Sequence, residues 1–218
     1  MQIRSLRQFS ISILRSNHHE FKHSQISDSF RLTMSKIASQ AMILTSSTTK
    51  EEISQLHGMT LSSCVSLSVY PKPYISFNLH LPSYTSTSLK QSKYCAIHLM
   101  SPTTKATEMA KIFARGNKSP KLEENEDGEI FHEMTTPFNE ISNMDYEFFK
   151  LPENREVEIP ILKNGVETIM ICKTDKCFPV HDHEIWVIEV LKILNFSNDK
   201  TGGLLYYNRG FHKIGKII

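Results

Sequence analysis

Hydroxyl side chains gather in one stretch of this 218-residue chain, between residues 57 and 87, which reads HGMTLSSCVSLSVYPKPYISFNLHLPSYTST. They form two groups separated by about twenty residues: Thr60, Ser62 and Ser63, then Ser83 and Thr85. Asn78 adds a side-chain amide between the two groups. Hydroxyls that converge with backbone amides can bind a phosphate without a glycine loop. If the fold brings the two groups together, the stretch predicts a phosphate site.

Two extended segments would have to position these groups. Apolar and small polar residues alternate twice, with the apolar positions at Val65, Leu67 and Val69 and then at Ile75, Phe77 and Leu79. A period of two predicts strands with one buried face each. Pro71-Lys72-Pro73 between them predicts a turn or an edge, because proline donates no hydrogen bond to a sheet. The alternative is a serine-rich edge and turn without a ligand, since serine and threonine favour caps and turns widely.

The remaining elements are predominantly short strands. Strand patterns cover residues 41–45, 94–100, 156–161, 168–173 and 184–194. A single well-marked helix follows residue 100, with Ser101 as its expected cap, Pro102 at its first position and a buried face of Ala106, Met109, Ala110 and Phe113. We therefore expect a mainly β fold, a small barrel or sandwich with helical insertions, and no alternating βαβ units.

Composition excludes several classes of protein. Hydrophobic residues make up 39% of the chain, which suits a globular domain, and no apolar run approaches the roughly 20 residues of a membrane span. The eight glycines form neither a G-x-G-x-x-G nor a Walker motif. The net charge of +2 arises from the first 31 residues, which carry +3 against −1 for the remainder. Basicity confined to a terminus argues against a nucleic-acid-binding surface.

The N-terminal segment has the composition of a targeting sequence. Residues 1–30 contain no acidic side chain before Glu20 and carry arginines spaced among Ser, Leu, Ile and Phe. This pattern predicts a mitochondrial targeting segment, with a disordered basic tail as the alternative. The predicted domain then covers residues 31–218 and contains an acidic, solvated loop at about residues 117–130.

The hydroxyl-rich stretch resembles the flavin reductase-like family of FMN-binding split barrels. The family pattern runs roughly G-M-T-x-S-S-x-x-S-x-S, then P-P or P-K-P, then N and S-x-T. Later pieces follow in the family's order: F-A-R-G-N (113–117), D-H-E-I-W-V-I-E-V (182–190) and L-L-Y-Y-N-R-G-F (204–211). The resemblance spans about residues 35–215, and the P-K-P and R-G-N variants look most like its fungal, organellar branch.

The resemblance implies a split β-barrel that binds FMN, takes NADH or NADPH as co-substrate and transfers hydride to the flavin. It implies a homodimer with the flavin near the subunit interface. The residues expected to hold phosphate or ribityl oxygens are Thr60, Ser62, Ser63, Ser83 and Thr85, with Asn78 at the ribityl chain or ring edge and His183 on the nicotinamide side. An FMN-binding protein without NAD(P)H turnover, acting as a flavin carrier or a redox or assembly factor, is the alternative.

Two positions depart from the family pattern, and one run of residues suggests a different chemistry. His181 stands where the family has a small residue, and Glu189 where it has a glycine.

Four cysteines do not make a disulfide framework in a chain of this length. Cys172-x4-Cys177-x3-His181-x-His183 could instead form a zinc cluster in a non-enzymatic interaction module, although its spacing does not force tetrahedral closure. We expect no metal site.

Overall fold

The computed structural model describes residues 25–49, 51–115, 123–124, 130–131, 136–152 and 154–216. Residues 1–24 of the expected targeting segment and most of the expected acidic loop lie outside these ranges. The chain divides into two units by contacts: the described part of the smaller one comprises residues 25–38 and 207–210 and contains an exposed helix, α1, over residues 25–34. Among the described residues, no helix is long and apolar enough to cross a membrane.

The larger unit consists mainly of strands. Its elements are β1 (Ser39–Gln40), β2 (Met42–Ser47), β3 (Leu56–Leu61), β4 (Val65–Ser68), β5 (Tyr74–His80), α2 (Tyr84–Ser92), β6 (Tyr94–Met100), α3 (Thr104–Phe113), β7 (Glu123–Glu124), β8 (Ile130–Phe131), β9 (Tyr146–Leu151), β10 (Asn154–Leu162), β11 (Val166–Val180) and β12 (His183–Asn195). Short 3₁₀ helices cover Ile53–Gln55 and Pro137–Glu140, and the last strands are β13 (Leu205–Tyr207) and β14 (Gly210–His212).

Seven antiparallel strands form the main sheet in the order β3-β2-β6-β11-β12-β5-β4. The two edge strands, β3 and β4, are consecutive in the chain and are joined by residues 62–64. The sheet therefore curves until its edges approach each other, yet no strand pairing between β3 and β4 is found in the described chain. A mainly β fold with an open barrel of this kind is a split barrel, as expected.

Different elements cover the two faces of the sheet. On one face, Leu89 of α2 packs in a core with Phe77, Leu79 and Trp186. On the other face, α3 packs on β2, and the β9–β10 hairpin packs on β6 and β11. The predicted buried face of α3 is confirmed, because Ala106, Met109, Ala110 and Phe113 are all buried. The helix begins two residues later than predicted, with Thr103 as its cap.

The apolar residues of one alternating segment are buried, and those of the other are exposed. Ile75, Phe77 and Leu79 of β5 are buried, which confirms the predicted strand. The predicted burial of the first segment is wrong: Val65, Leu67 and Val69 are 59%, 57% and 80% exposed. β4 is an edge strand, and its apolar side chains are directed away from the core of the chain. Alternation along a strand distinguishes two faces but does not supply the element that covers either one.

Candidate functional site

The linker between β3 and β4 is attached to the end of β5. The backbone N–H of Asn78 donates to Ser63 Oγ at 3.1 Å, so two predicted site residues from different segments are in direct contact. The Ser63 hydroxyl also lies 3.4 Å from the Asn78 carbonyl oxygen. The side chain of Asn78 is exposed on the outer side of the sheet, where its register partner on β12 is Ile185. These contacts place one predicted hydroxyl beside the backbone of Asn78.

The second hydroxyl group opens helix α2. Ser83 is the N-cap of this helix, and its Oγ accepts a hydrogen bond from Ser86 N at 3.2 Å. A hydroxyl that accepts still has its own hydrogen to donate, so Ser83 can cap the helix and donate to a ligand oxygen. Thr85, one residue into the helix, is buried. The helix N-terminus also presents unpaired backbone N–H groups, which favour an anion.

Thr60 is separated from the other candidates. Its Oγ1 donates to the carbonyl oxygen of Ala110 in α3 at 2.7 Å, so the side chain lies on the α3 side of the sheet. The hydrogen of this hydroxyl is therefore used, and the oxygen can only accept from another group. A phosphate offers acceptors, whereas a ribityl hydroxyl can donate. This geometry suits Thr60 for a sugar hydroxyl better than for a phosphate.

His183 lies at the tip of the long β11–β12 hairpin. The hairpin turn consists of His181 and Asp182, because Val180 pairs with His183. β12 pairs with β5 so that His183 faces His80 and Ile185 faces Asn78. Leu81 N donates to the Asp182 carbonyl oxygen at 2.8 Å, which ties the turn to the segment leading into α2. The predicted nicotinamide-side imidazole and the predicted flavin amide are therefore on adjacent strands at one end of the sheet.

The departure at His181 has a backbone consequence. Its φ is 51°, in the left-handed region that favours glycine. A two-residue hairpin turn commonly needs a positive φ, which gives a physical reason for a small residue at this position. The His181 side chain is exposed, so it adds an imidazole to the surface beside the predicted site.

A buried carboxylate next to His183 was not singled out from the sequence. Glu184 points to the opposite face from His183; its Oε2 accepts from Ser86 Oγ at 2.5 Å, and Oε1 pairs with Lys90. Burial disfavours the charged form, but the hydrogen bonds from Lys90 and Ser86 outweigh it and lower the pKa of Glu184. The pair fixes α2 against β12. The sequence shows only that Glu184 is an acidic residue directly after His183. Its partners, Ser86 and Lys90, are almost a hundred residues away in the chain.

His57 and Gly58 begin the hydroxyl-rich stretch and serve packing. A Cβ at Gly58 would lie 2.6 Å from the Leu44 carbonyl oxygen and 2.7 Å from Phe113, so the close contact of β3 with β2 and α3 requires glycine. His57 is buried and stacks on Tyr84, with ring centroids 5.4 Å apart. Burial lowers the pKa of His57, and its Nδ1 has no hydrogen-bond partner among the described residues.

A cavity of about 410 Å³ runs along α2 beside this ring pair. Its lining is polar and includes no carboxylate, lysine or arginine; it comprises Thr48, Ser54, Gln55, His57, Tyr84, Thr87, Ser88, Gln91 and Thr136. None of the six predicted flavin-binding residues lines it, although Tyr84 lies between Ser83 and Thr85 in the chain. The cavity and the predicted phosphate site are therefore formed by different residues.

The zinc alternative does not agree with the hairpin geometry. Cys172 is fully buried in the core opposite Cys95, and Val180 at the turn comes eight residues later in the chain. Eight residues of extended chain span roughly 26 Å, too far for Cys172 and His181 to share an ion. In the described part of the chain, no group of three or more His, Cys, Asp or Glu side chains is arranged to hold a metal.

The departure at Glu189 is explained by an ion pair. Glu189 Oε1 lies 2.8 Å from Lys72 Nζ, in the Pro-Lys-Pro turn between β4 and β5. Only Glu189 departs from the family pattern, because the Pro-Lys-Pro turn that supplies Lys72 is one of the forms of that pattern. The contact attaches the turn to β12. Because Lys72 is largely exposed, we expect only a small contribution to stability from this pair.

Comparison with known proteins agrees with this fold. Residues 34–215 match the model of the flavin reductase like domain, so the chain belongs to the flavin reductase-like family. Among solved structures, a flavin reductase domain protein from Arthrobacter sp. FB24 is similar at 21% identity, with a TM-score of 0.63 and coverage of 88% of this chain and 98% of the other.

Two further structures have the same fold. The flavin reductase HpaC, solved in complex with NADP+, is 24% identical, with a TM-score of 0.60 and coverage of 86% and 97%. The styrene monooxygenase flavin reductase from Pseudomonas putida S12 is 17% identical, with a TM-score of 0.59 and coverage of 87% and 99%. The family and its neighbours support a flavin-related oxidoreductase function for this chain.

Proposed function

We propose that this protein is an NAD(P)H:flavin oxidoreductase that binds FMN. The observation that carries the proposal is the β5–β12 pairing, which places Asn78 opposite Ile185 and His80 opposite His183. The amide proposed to contact the flavin and the imidazole proposed for the nicotinamide side therefore belong to adjacent strands at one end of the sheet. The complex of HpaC with NADP+ supports a pyridine nucleotide as the reductant. The P-K-P and R-G-N variants support a fungal-type member of the family.

The side chains present fit a flavin nucleotide. Ser83 has a hydroxyl hydrogen to donate to a phosphate oxygen while it caps α2, and Ser62 is exposed beside Ser63. Thr60 would accept from a ribityl hydroxyl, and the exposed amide of Asn78 can reach a ribityl oxygen or a ring edge. Thr85 lies buried behind Ser83. The donors are neutral hydroxyls and backbone N–H groups, which bind a phosphate through its oxygens rather than by a counter-charge.

FMN, when bound, supplies a ring that accepts hydride; the protein supplies position and environment. In this proposal Ser62, Ser83 and Thr85 hold the phosphate end, and Asn78 fixes the ring edge relative to the sheet. His183 lies where it can orient a nicotinamide through a hydrogen bond. Holding both partners at a defined separation is the main rate-enhancing contribution that such a site makes.

We further propose a homodimer with the site at its interface. The strands β4, β11 and β12 and the turn after β4 carry exposed apolar side chains; they are Val65, Leu67, Val69, Tyr70, Phe178, Val180 and Ile185. We call this set the apolar face. A contiguous apolar patch rimmed by polar residues is typical of a protein–protein contact. A second copy would cover the apolar face and shield a flavin ring there from water.

The basic, acid-poor composition of residues 1–30 leads us to propose a mitochondrial location. A fluorescent reporter fused to these residues should enter mitochondria, and a reporter that stays in the cytosol would contradict the location.

The function is tested by flavin titration followed by anaerobic reduction. Purified protein should quench the fluorescence of added FMN, and NADH or NADPH should then bleach the absorbance of the bound flavin. Asn78→Ala should raise the Kd for FMN about tenfold, the effect of losing one hydrogen bond to the ligand. Asn143→Ala, in an exposed loop, is the control and should leave the Kd unchanged.

The second candidate function is flavin binding without turnover. It is favoured by the histidine at the hairpin turn, because the His181 side chain is an additional group beside the proposed nicotinamide side. Flavin that binds but does not bleach with either NADH or NADPH would support this candidate. No quenching of FMN fluorescence would contradict both.

A further inference from the structure

Two imidazoles share one carboxylate at the tip of the β11–β12 hairpin. His183 Nδ1 lies 2.7 Å from Asp182 Oδ1, and His80 Nε2 lies 3.3 Å from Asp182 Oδ2. The two rings meet edge to face, with centroids 4.9 Å apart. Because His80 and His183 are register partners on β5 and β12, the sheet itself brings them together. Each carboxylate oxygen therefore faces a different imidazole.

The cluster is accessible and is held by the backbone as well. Asp182 is 66% exposed at its side chain, and both histidines are 43% exposed. An exposed aspartate in a two-residue turn would otherwise change rotamer readily, since no packing fixes it. Here the adjacent residues His80 and Leu81 contact its side chain and its carbonyl oxygen respectively. The hydrogen bond from His183 lowers the pKa of Asp182, so the carboxyl is ionised at neutral pH.

An ionised carboxylate only accepts hydrogen bonds, so the contact at 2.7 Å requires a hydrogen on His183 Nδ1. In the neutral ring, Nε2 is then the nitrogen with a lone pair. We propose that His80 is a positioning residue: it holds the second oxygen of Asp182, and through Asp182 it keeps His183 in the Nδ1–H tautomer with its ring orientation fixed. A carboxylate that orients an imidazole through one nitrogen is the arrangement that prepares the other nitrogen for a ligand.

The positioning role of His80 rests on the proposed function in one respect: that function provides the ligand that His183 would bind. The other ionisable groups nearby do not provide the same support. Glu184 is directed to the opposite face of β12 and is engaged with Ser86 and Lys90. His181 is the first residue of the turn and is exposed. Within the described residues, Asp182 is the carboxylate in contact with His183, and His80 is its second imidazole partner.

The test is the tautomer of His183 in the ligand-free, full-length protein. Long-range ¹⁵N–¹H correlation spectra of ¹⁵N-histidine-labelled protein, recorded above the titration range of histidine, distinguish Nδ1–H from Nε2–H. His183→Asn identifies the signals. We expect wild type to be mainly Nδ1–H, and we expect His80→Phe and His80→Asn to lower the ratio of Nδ1–H to Nε2–H by about threefold or more. Asp182→Asn should lower it further.

His80→Phe retains a ring against His183, so it separates loss of the carboxylate contact from loss of packing. His212→Phe, on β14, is the matched control and should leave the His183 signals in place. An unchanged tautomer ratio in both His80 variants would overturn the proposal, and so would a wild type that is mainly Nε2–H. Melting temperatures close to wild type would show that each variant is folded.

The same variants separate this proposal from the proposed function. In an active enzyme, His80→Phe should lower kcat for flavin reduction about tenfold while the Kd for FMN stays near the wild-type value. A protein that fails to bleach flavin but shows the tautomer change would contradict the reductase function and retain the positioning role. A protein with normal kcat in His80→Phe would contradict the positioning role and retain the function.

Discussion

At the scale of single residues, His98 is an ionisable group in the core that has no role in the proposed chemistry. His98 is fully buried between β2 and β10; its Nδ1 lies 2.9 Å from the Ile43 carbonyl oxygen, and its Nε2 accepts from Leu162 N at 3.0 Å. The carbonyl can only accept, so the ring is neutral with its hydrogen on Nδ1. Burial, opposed by the hydrogen bond to Ile43, lowers the pKa of His98 from 6.5 to about 4.

His98 should make the fold acid-sensitive. The unfolded chain binds a proton at this residue below its ordinary pKa, whereas the folded chain resists it down to about pH 4. Stability from this group is therefore complete above pH 6.5 and is lost as the pH falls from 6.5 toward 4. Between pH 7 and pH 5 the loss should be about 2 kcal/mol in the free energy of unfolding, on the linkage of 1.4 kcal/mol per unit.

Urea unfolding at the two pH values measures this loss. His98→Gln should be less stable than wild type at pH 7 and should lose about 2 kcal/mol less between pH 7 and pH 5. His212→Gln, at an exposed histidine, should retain the wild-type dependence on pH. Equal pH dependences for wild type and His98→Gln would show that this imidazole does not resist protonation.

At the scale of elements, helix α2 has both a structural and a proposed binding role. Its N-terminus is capped by Ser83, its middle is attached to β12 through Ser86, Lys90 and Glu184, and Leu89 packs in the core. The Ser83 hydroxyl, which the sequence suggested for phosphate, thus also stabilises the helix that presents it. A simple removal of Ser83 would change both properties at once.

Ser83→Ala and Ser83→Gly separate the two roles. Alanine at an N-cap costs about 1 kcal/mol, which corresponds to roughly 2–4 °C in melting temperature, whereas glycine costs only a few tenths. Both variants lack the hydroxyl. If Ser83 donates to the flavin phosphate, both should raise the Kd for FMN by a similar factor of about ten, despite their different melting temperatures. Wild-type FMN affinity in Ser83→Gly would remove Ser83 from the phosphate site.

At the scale of the whole molecule, the apolar face determines the expected assembly. One chain leaves Leu67 and Phe178 with about half of their surfaces exposed, on β4 next to β5 and on β11 beyond β12. Burying such side chains against a second copy would stabilise a dimer by roughly 25 cal/mol for each Å² of apolar area removed from water. The site would then be completed by association, because the outer side of β5 is open in a single chain.

Leu67→Asp tests the assembly. Wild type, with a chain mass of 25.1 kDa, should sediment as a dimer. A buried unpaired carboxylate should weaken that dimer on the order of a hundredfold and give a monomer with reduced FMN affinity. Met144→Asp places the same charge at an exposed apolar residue outside the apolar face and should stay dimeric. A monomeric wild type would contradict the proposed interface.

The sequence by itself determined the features that depend on neighbours along the chain. Alternation gave the buried face of β5, helical spacing gave the buried face of α3, and the ordered motifs gave the family. Each of these follows from a local period of two or of 3.6 residues, which the backbone geometry imposes. The hydroxyl clusters could also be located in the sequence, because their members are close in the chain. The groups that these hydroxyls contact could not be predicted.

Only the tertiary structure decided which groups meet. Ser86 and Glu184 are 98 residues apart, and the contact of His80 with Asp182 depends likewise on how β5 and β12 align. The Thr60 hydroxyl donates its hydrogen to Ala110 in α3, and the apolar side chains of β4 at the sheet edge are exposed. Strand register and sheet order are set by the sum of contacts across the whole core, and no short stretch of sequence contains that sum.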